Sequence, residues 1–154
     1  MRTLEPTLAE HPFFRDLAED YIRLCAGCAK NVVFKPGQYL LREGHKADQF
    51  FVLRAGRVQL QMEAPGREPL TIQSFSEGDV IGWSWLVPPY RWAFDAKAVE
   101  ATRCLALDGA CLRKKCEANH DLGYELFKRI AAMMERRLHA TRLQILDVYA
   151  APGR

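Results

Sequence analysis

The chain has 154 residues, about half apolar and a quarter charged, the balance of one globular domain large enough to bury a real core. Its 22 basic and 19 acidic residues leave a net charge of +3, too mild to argue for nucleic acid. No long apolar run can span a membrane, and the N-terminus MRTLEPTLAEHPFF lacks the charged and apolar regions of a signal peptide, so a cytoplasmic protein is expected.

In chain order, residues 6–26 read as helical. Leu8, Phe13, Phe14, Leu17, Tyr21, Leu24 and Cys25 give a rough apolar face, with a break near Pro12. From Val32 to Asp108 the texture changes to short β-like runs punctuated by turn signals. VVF ends at Pro36-Gly37, YLLR at Glu43-Gly44 and QFFVLR at Ala55-Gly56. VQLQM and PLTIQSF alternate apolar with polar residues before Pro65-Gly66 and Glu77-Gly78-Asp79. About eight short strands with glycine at the turns predict a sandwich or barrel. Asp108 then suits the N-cap of a short helix, GACLRKKCEAN, and Asp121 the N-cap of a long one. The long helix carries Leu122, Leu126, Ile130, Met133, Met134, Leu138 and Ile145. With Phe127, Ala131 and Leu143 these form a stripe wide enough for two partners.

The expected architecture is mainly β with flanking helices. It is one domain over 1–154: an N-terminal helical segment (1–30), an antiparallel β-roll of double-stranded β-helix or jelly-roll type (31–108), and C-terminal helices (109–149). One side of the long helix packs on the roll, and residues 121–148 are expected to pair with a second copy.

Five cysteines, an odd number, with no secretory signal give no reason to expect a disulfide scaffold. The bland reading is small core fillers. Cys25 and Cys28 have CxxC spacing, and Cys111 and Cys116 flank Lys114-Lys115. A zinc site would need the two pairs to converge, and the lysines could lower a thiol pKa. His11, His45, His120 and His139 show no ligand spacing. No P-loop, GxSxG, HExxH or Ser-His-Asp pattern is present, and no enzyme is expected.

FKPGQYLLREGHKADQFFVLRAGRVQL, Phe34 to Leu60, resembles the opening of a cyclic-nucleotide-binding domain, as in the catabolite-activator and FNR-type (Crp/Fnr) regulators. Phe34, Gly37, Glu43-Gly44, Asp48, Phe51-Val52-Leu53 and Gly56 carry it in order. Gly78-Asp79-Val80-Ile81-Gly82 and Arg91 continue it, and it runs from about Leu17 to Val148. The resemblance implies a β-roll and a dimer, with a phosphate cassette between two strands: a Gly-Glu pair at its start, and an Arg followed by Ser/Thr-Ala at its end. The Arg pairs the cyclic phosphate and helix-start N–H groups assist it. The Glu holds the ribose.

Here Gly82 matches the Gly, Arg91 the Arg and Ala93 the Ala. Trp83 stands in place of Glu and Trp92 in place of Ser or Thr, and Ser84 follows Trp83. All three tryptophans lie in Trp83–Trp92, and the segment Gly82–Arg91 is a residue or two shorter than usual, with Pro88-Pro89 stiffening its end. The lost carboxylate bond alone is worth ~1.5–3 kcal/mol, or roughly one to two decades of affinity. Three readings stay open: the indoles fill the core, they line a pocket rebuilt for another small ligand, or weak cyclic AMP or cyclic GMP binding survives. Arg91 serves an anionic effector or pairs with Asp95. Arg136-Arg137-Leu138 aligns with the family's helix run and places Thr141 and Arg142 at the pocket mouth.

No helix-turn-helix follows the long helix, so DNA binding is not expected of this chain. The reading is a ligand-sensing regulatory module, dimeric and acting on an unidentified protein partner. The alternatives are a dimeric adaptor with a tryptophan-plugged pocket and a thiol or metal redox sensor.

Overall fold

The computed structural model describes residues 3–150. Its N-terminal helical segment comes in three pieces: α1 (Glu5–Glu10), a 3-10 turn (Pro12–Phe14) and α2 (Glu19–Ala26). The break falls where the sequence places it. Pro12 has no N–H to give, and a residue before proline avoids helical backbone, so His11 is extended. His11 also stitches the break together. Its Nδ1 accepts from the Phe13 N–H at 3.1 Å, and its Nε2–H donates to the Leu53 carbonyl at 3.0 Å. Both ring nitrogens are committed to the neutral form, and burial lowers the pKa of His11.

Eight strands follow: β1 (Ala29–Phe34), β2 (Tyr39–Leu41), β3 (Gln49–Ala55), β4 (Val58–Met62), β5 (Leu70–Phe75), β6 (Val80–Ile81), β7 (Asp95–Ala98) and β8 (Thr102–Asp108). They form two antiparallel four-stranded sheets, ordered β1-β8-β3-β6 and β2-β7-β4-β5. The central strands β3 and β8 explain why QFFVLR and CLAL read as continuous apolar runs. Alternate residues point to opposite faces, and both faces are covered. Phe51, Leu53, Cys104 and Ala106 face the interior of the roll, with Val58, Phe75, Ile81 and Trp92. Phe50, Val52, Leu105 and Leu107 face the helices, with Phe14, Trp85, Leu112 and Leu126.

Helix α3 (Gly109–Ala118) starts at Asp108, whose carboxylate accepts from the Cys111 N–H at 2.8 Å. Helix α4 (His120–Ala150) is capped differently from expectation. Asn119, not Asp121, accepts from the Leu122 N–H at 3.1 Å, because the chain turns one residue pair earlier and Asp121 already lies in the first helical turn. Leu122, Leu126, Ile130 and Met133 of α4 are buried on the domain. Phe127, Met134, Leu138, Leu143 and Ile145 are exposed.

A second correction concerns the cysteines. Cys28 and Cys111 are joined in a disulfide with Cα atoms 5.8 Å apart. The Asp108 N–H donates to the Cys28 carbonyl at 2.9 Å, so the start of β1 and the first turn of α3 already abut. Cys25 and Cys104 are buried thiols.

Two outcomes are expected from this architecture. Gly56 has φ of +104°, and a Cβ there would lie 2.5 Å from Thr102 Oγ1 and 2.6 Å from the Ala101 carbonyl oxygen. Gly37, at φ of +92°, has open space around it. Both alanine variants strain the backbone, but Gly56→Ala should lose more than about 1 kcal/mol and clearly more than Gly37→Ala, measured by denaturant melts. His11 has a folded pKa below its unfolded value, so the unfolded chain binds the proton more readily. Stability should therefore fall as pH drops from about 6.5 toward the folded pKa, and His11→Gln should flatten that slope.

Candidate functional site

The segment from Gly82 to Phe94 runs between β6 and β7 as a series of turns rather than a regular helix. Trp83 accepts from Leu86, Ser84 from Val87, and Val87 from Tyr90 in main-chain bonds. Its end is laced to the turn between β2 and β3. The Ala47 N–H donates to the Tyr90 carbonyl at 2.7 Å, Trp92 N–H to His45 at 3.0 Å, and Gly44 N–H to Trp92 at 2.9 Å.

This lacing decides where side chains go. Trp92 turns inward and is buried in the roll. Its ring presses on Gly82, where a Cβ would come within 2.7 Å of the indole; with φ of +90°, Gly82 is required twice over. Arg91 turns outward and is exposed. Its Nη1 lies 3.4 Å from the Gly44 carbonyl oxygen, beside Arg42, His45 and Lys46 on the outer surface. Trp85 is fully buried against Phe50, ring centroids 5.8 Å apart.

On the other side of the segment, between the β4–β5 hairpin and α4, lies a cleft of about 600 Å³. Leu60, Met62, Ile72, Trp83, Phe94, Met134 and Leu138 supply most of its wall, with Ala93, Ala131, Gln73, Glu135, Arg137 and Thr141 completing it. Trp83 and Phe94 stack at a tilt, centroids 5.8 Å apart. The polar groups are mostly occupied with one another. Gln73 Nε2–H donates to Thr141 Oγ1 at 2.8 Å and to the Arg137 carbonyl at 3.1 Å. The Thr141 hydroxyl donates to the Arg137 carbonyl at 2.9 Å. The Arg137 guanidinium sits over the Phe75 ring at 4.1 Å and pairs with Asp79 at 3.0 Å. These bonds tie α4 to β5 and leave the cleft an apolar container.

Of the residues singled out by sequence, the structure brings Trp83, Ala93 and Thr141 to this cleft. Gly82, Ser84, Arg91, Trp92 and Arg142 do not line it. Asp95 is buried, as its strand position suggests, but its partner is not Arg91. Its Oδ1 accepts from the Glu43 N–H at 2.8 Å and lies 3.4 Å from Arg42 Nε, because β7 pairs with β2 and brings that turn overhead. Ile72, Gln73, Phe94, Met134 and Arg137 were not singled out for the site. The alternation of VQLQM and LTIQSF marks which residues share a face, but which face meets α4 depends on the pairing of β4 with β5 and β7.

Nor do the lysines activate a thiol. Lys115 Nζ donates to the Leu24 carbonyl at 2.7 Å. Burial, helped by the nearby Cys116, pushes Cys25 up to about 12, and burial with Glu117 raises Cys116. No group of three or more metal-ligating side chains is assembled among the described residues.

Comparison with known proteins gives a consistent picture. The family model described as cyclic nucleotide-binding domain matches residues 31–119, more than half of the chain. Over 76 residues, 49% of this chain, it is 33% identical to the cGMP-dependent protein kinase egl-4 of Caenorhabditis elegans. The chain spans about a tenth of the length of the curated relatives it matches. Among solved structures, a Geobacter metallireducens protein named for cyclic-nucleotide binding superimposes with a TM-score of 0.79 at 29% identity, over 90% of this chain and 100% of that one. The Thermus thermophilus catabolite activator protein shares the fold, with a TM-score of 0.69 at 22% identity over 90% of this chain and 63% of that one.

Proposed function

This chain belongs to the cyclic nucleotide-binding domain family, and from that premise we propose that it is a non-catalytic ligand-sensing module whose cleft prefers a planar, apolar molecule to a cyclic nucleotide. The observation that carries this is the exchange of chemistry at one wall. Trp83 lines the cleft where the family resemblance puts a ribose-binding carboxylate, while the Arg91 guanidinium lies on the outer surface beside Gly44. A cyclic phosphate entering the cleft would lose its hydration and meet no free cation there. An aromatic or polycyclic body would bury apolar area against Trp83, Phe94, Ile72 and Leu138, at ~25 cal/mol for each Å² removed from water. An open cleft of about 600 Å³ also speaks against the plugged-adaptor reading.

The signal leaves through α4. Met134 and Leu138 belong to the cleft wall and also to an exposed apolar stripe that steps through Phe127, Met134, Leu138, Ile145 and Tyr149. Residues at seven- and four-residue steps share a helix face, and a second copy of the same helix is the partner that covers it. A ligand in the cleft therefore presses on the helix that forms the dimer, and a partner protein reads the altered dimer surface.

Two measurements test this. In calorimetry and tryptophan emission, a neutral polyaromatic probe such as Nile red should bind saturably. Cyclic AMP and cyclic GMP should bind at least about tenfold more weakly, and Ile72→Asp should abolish probe binding by placing a charge in the apolar wall. Micromolar cyclic-nucleotide binding that disappears in Arg91→Ala would overturn the ligand assignment. Sedimentation at micromolar concentration should show a dimer, and Ile145→Glu should shift it to monomer with its helix and strand content kept in circular dichroism and a melt that no longer depends on protein concentration. A monomeric parent chain would remove the proposed output.

A further inference from the structure

The cleft accounts for Trp83 but not for the disulfide, nor for why α3 grips the turn segment so closely. Helix α3 sits between the two. At its start Cys111 is bonded to Cys28, across a sequence separation of 83 residues. Gly109 backs onto Trp85, where an added Cβ would lie 2.9 Å from the Trp85 Cβ. Two residues beyond Cys111, Arg113 reaches the turn segment at two points. Its Nη1–H donates to the Trp85 carbonyl, and its guanidinium lies over the Tyr90 ring at 4.3 Å. Tyr90 is held in left-handed backbone, φ of 58°, where a non-glycine residue needs support from its surroundings.

We propose that the Cys28–Cys111 bond is an exchange site for small thiols of the glutathione class, and that Arg113 transmits its state to the segment walling the cleft. Cys28 is buried and Cys111 partly exposed, so the attack is assigned to the Cys111 sulfur. A glutathione thiolate attacks Sγ of Cys111. The Cys28–Cys111 bond breaks as the mixed disulfide forms, and Cys28 leaves as a thiolate and takes a proton. A second glutathione attacks the mixed disulfide, releasing Cys111 as a thiol and glutathione disulfide. Two electrons pass to the protein, and glutathione disulfide reverses the sequence. The other free thiols nearby, Cys25 and Cys116, are both held protonated and stand aside, so the attacking group comes from outside.

With the bond cut, α3 keeps its Asp108 cap and its buried Leu112, but its first turn is joined to the start of β1 through the main-chain Asp108–Cys28 bond alone, without the covalent link. Arg113, a positioning residue, then holds Trp85 and Tyr90 less firmly. The inference is independent of what occupies the cleft, and it needs no ligand to test.

All three tryptophans lie in the segment that Arg113 holds, so intrinsic emission reports on that segment alone. The protein is equilibrated across glutathione to glutathione-disulfide ratios and trapped by excess N-ethylmaleimide at neutral pH in the folded state, and the cysteines are assigned by mass spectrometry. Cys28 and Cys111 should titrate together and reversibly, with Cys104 alkylated only after unfolding. Tryptophan emission should shift to longer wavelength in step with reduction. Cys28→Ser/Cys111→Ser should fix emission at the reduced value. In Arg113→Ala the cysteine pair should still titrate while emission no longer follows it, and Arg113→Lys should restore part of the response. A pair that stays oxidised or reduced across the series in the folded protein overturns the exchange site. A pair that titrates with unchanged emission, or an Arg113→Ala variant that still couples the two, overturns the transmission.

Discussion

The constraint on which the rest depends is the double burial of β3 and β8. A sheet with one wet face could stand on its own roll. Here Phe50 and Val52 need a helical cover as much as Phe51 and Leu53 need an opposite sheet. That demand fixes α1, α2, α3 and the first half of α4 against one face, and it divides the apolar interior into two cores. Trp83 packs against both, at the seam where they meet the cleft. The cleft is thus a gap left at the edge of two packed layers, with β4 and β5 on one side and α4 on the other.

Within that frame, two neighbouring side chains take opposite sides of the chain. Placing an indole at Trp92 fills the roll beneath Gly82, and only a residue without Cβ leaves room for it. With Trp92 inward, the chain alternation sends Arg91 outward to the turn that carries Gly44 and Lys46. An indole inside and a guanidinium outside are one event, not two. Trp83 gives the cleft an aromatic wall, stacked at a tilt on Phe94.

Helix α4 ties that wall to the rest of the molecule. Its buried half belongs to the helical core, its middle lines the cleft, and its exposed face continues as an apolar stripe. Gln73, Thr141, Asp79 and Arg137 fasten the middle of the helix to β5 and the following turn. The part of the helix that lines the cleft is therefore held firmly to the sheet. Helix α3 plays the complementary part on the far side, holding the turn segment through Arg113 and itself held by Cys111.

The sequence alone determined the element order, the break at Pro12, the Asp108 cap and the eight strands, because each rests on local chemistry: periodicity, a missing N–H, a carboxylate at a helix start, glycine at turns. It also marked one stretch as unusual, since three tryptophans and, against the family resemblance, departures at two cassette positions are visible without coordinates. What only the tertiary structure decided was direction and partnership. That Trp92 faces inward and Arg91 outward follows from main-chain bonds to a turn more than forty residues away. That Asp95 meets Arg42, and Cys28 meets Cys111, follows from the pairing of β2 with β7 and of β1 with β8. Local pattern says which residues share a face; sheet register, set by the packing of two cores, says what that face meets.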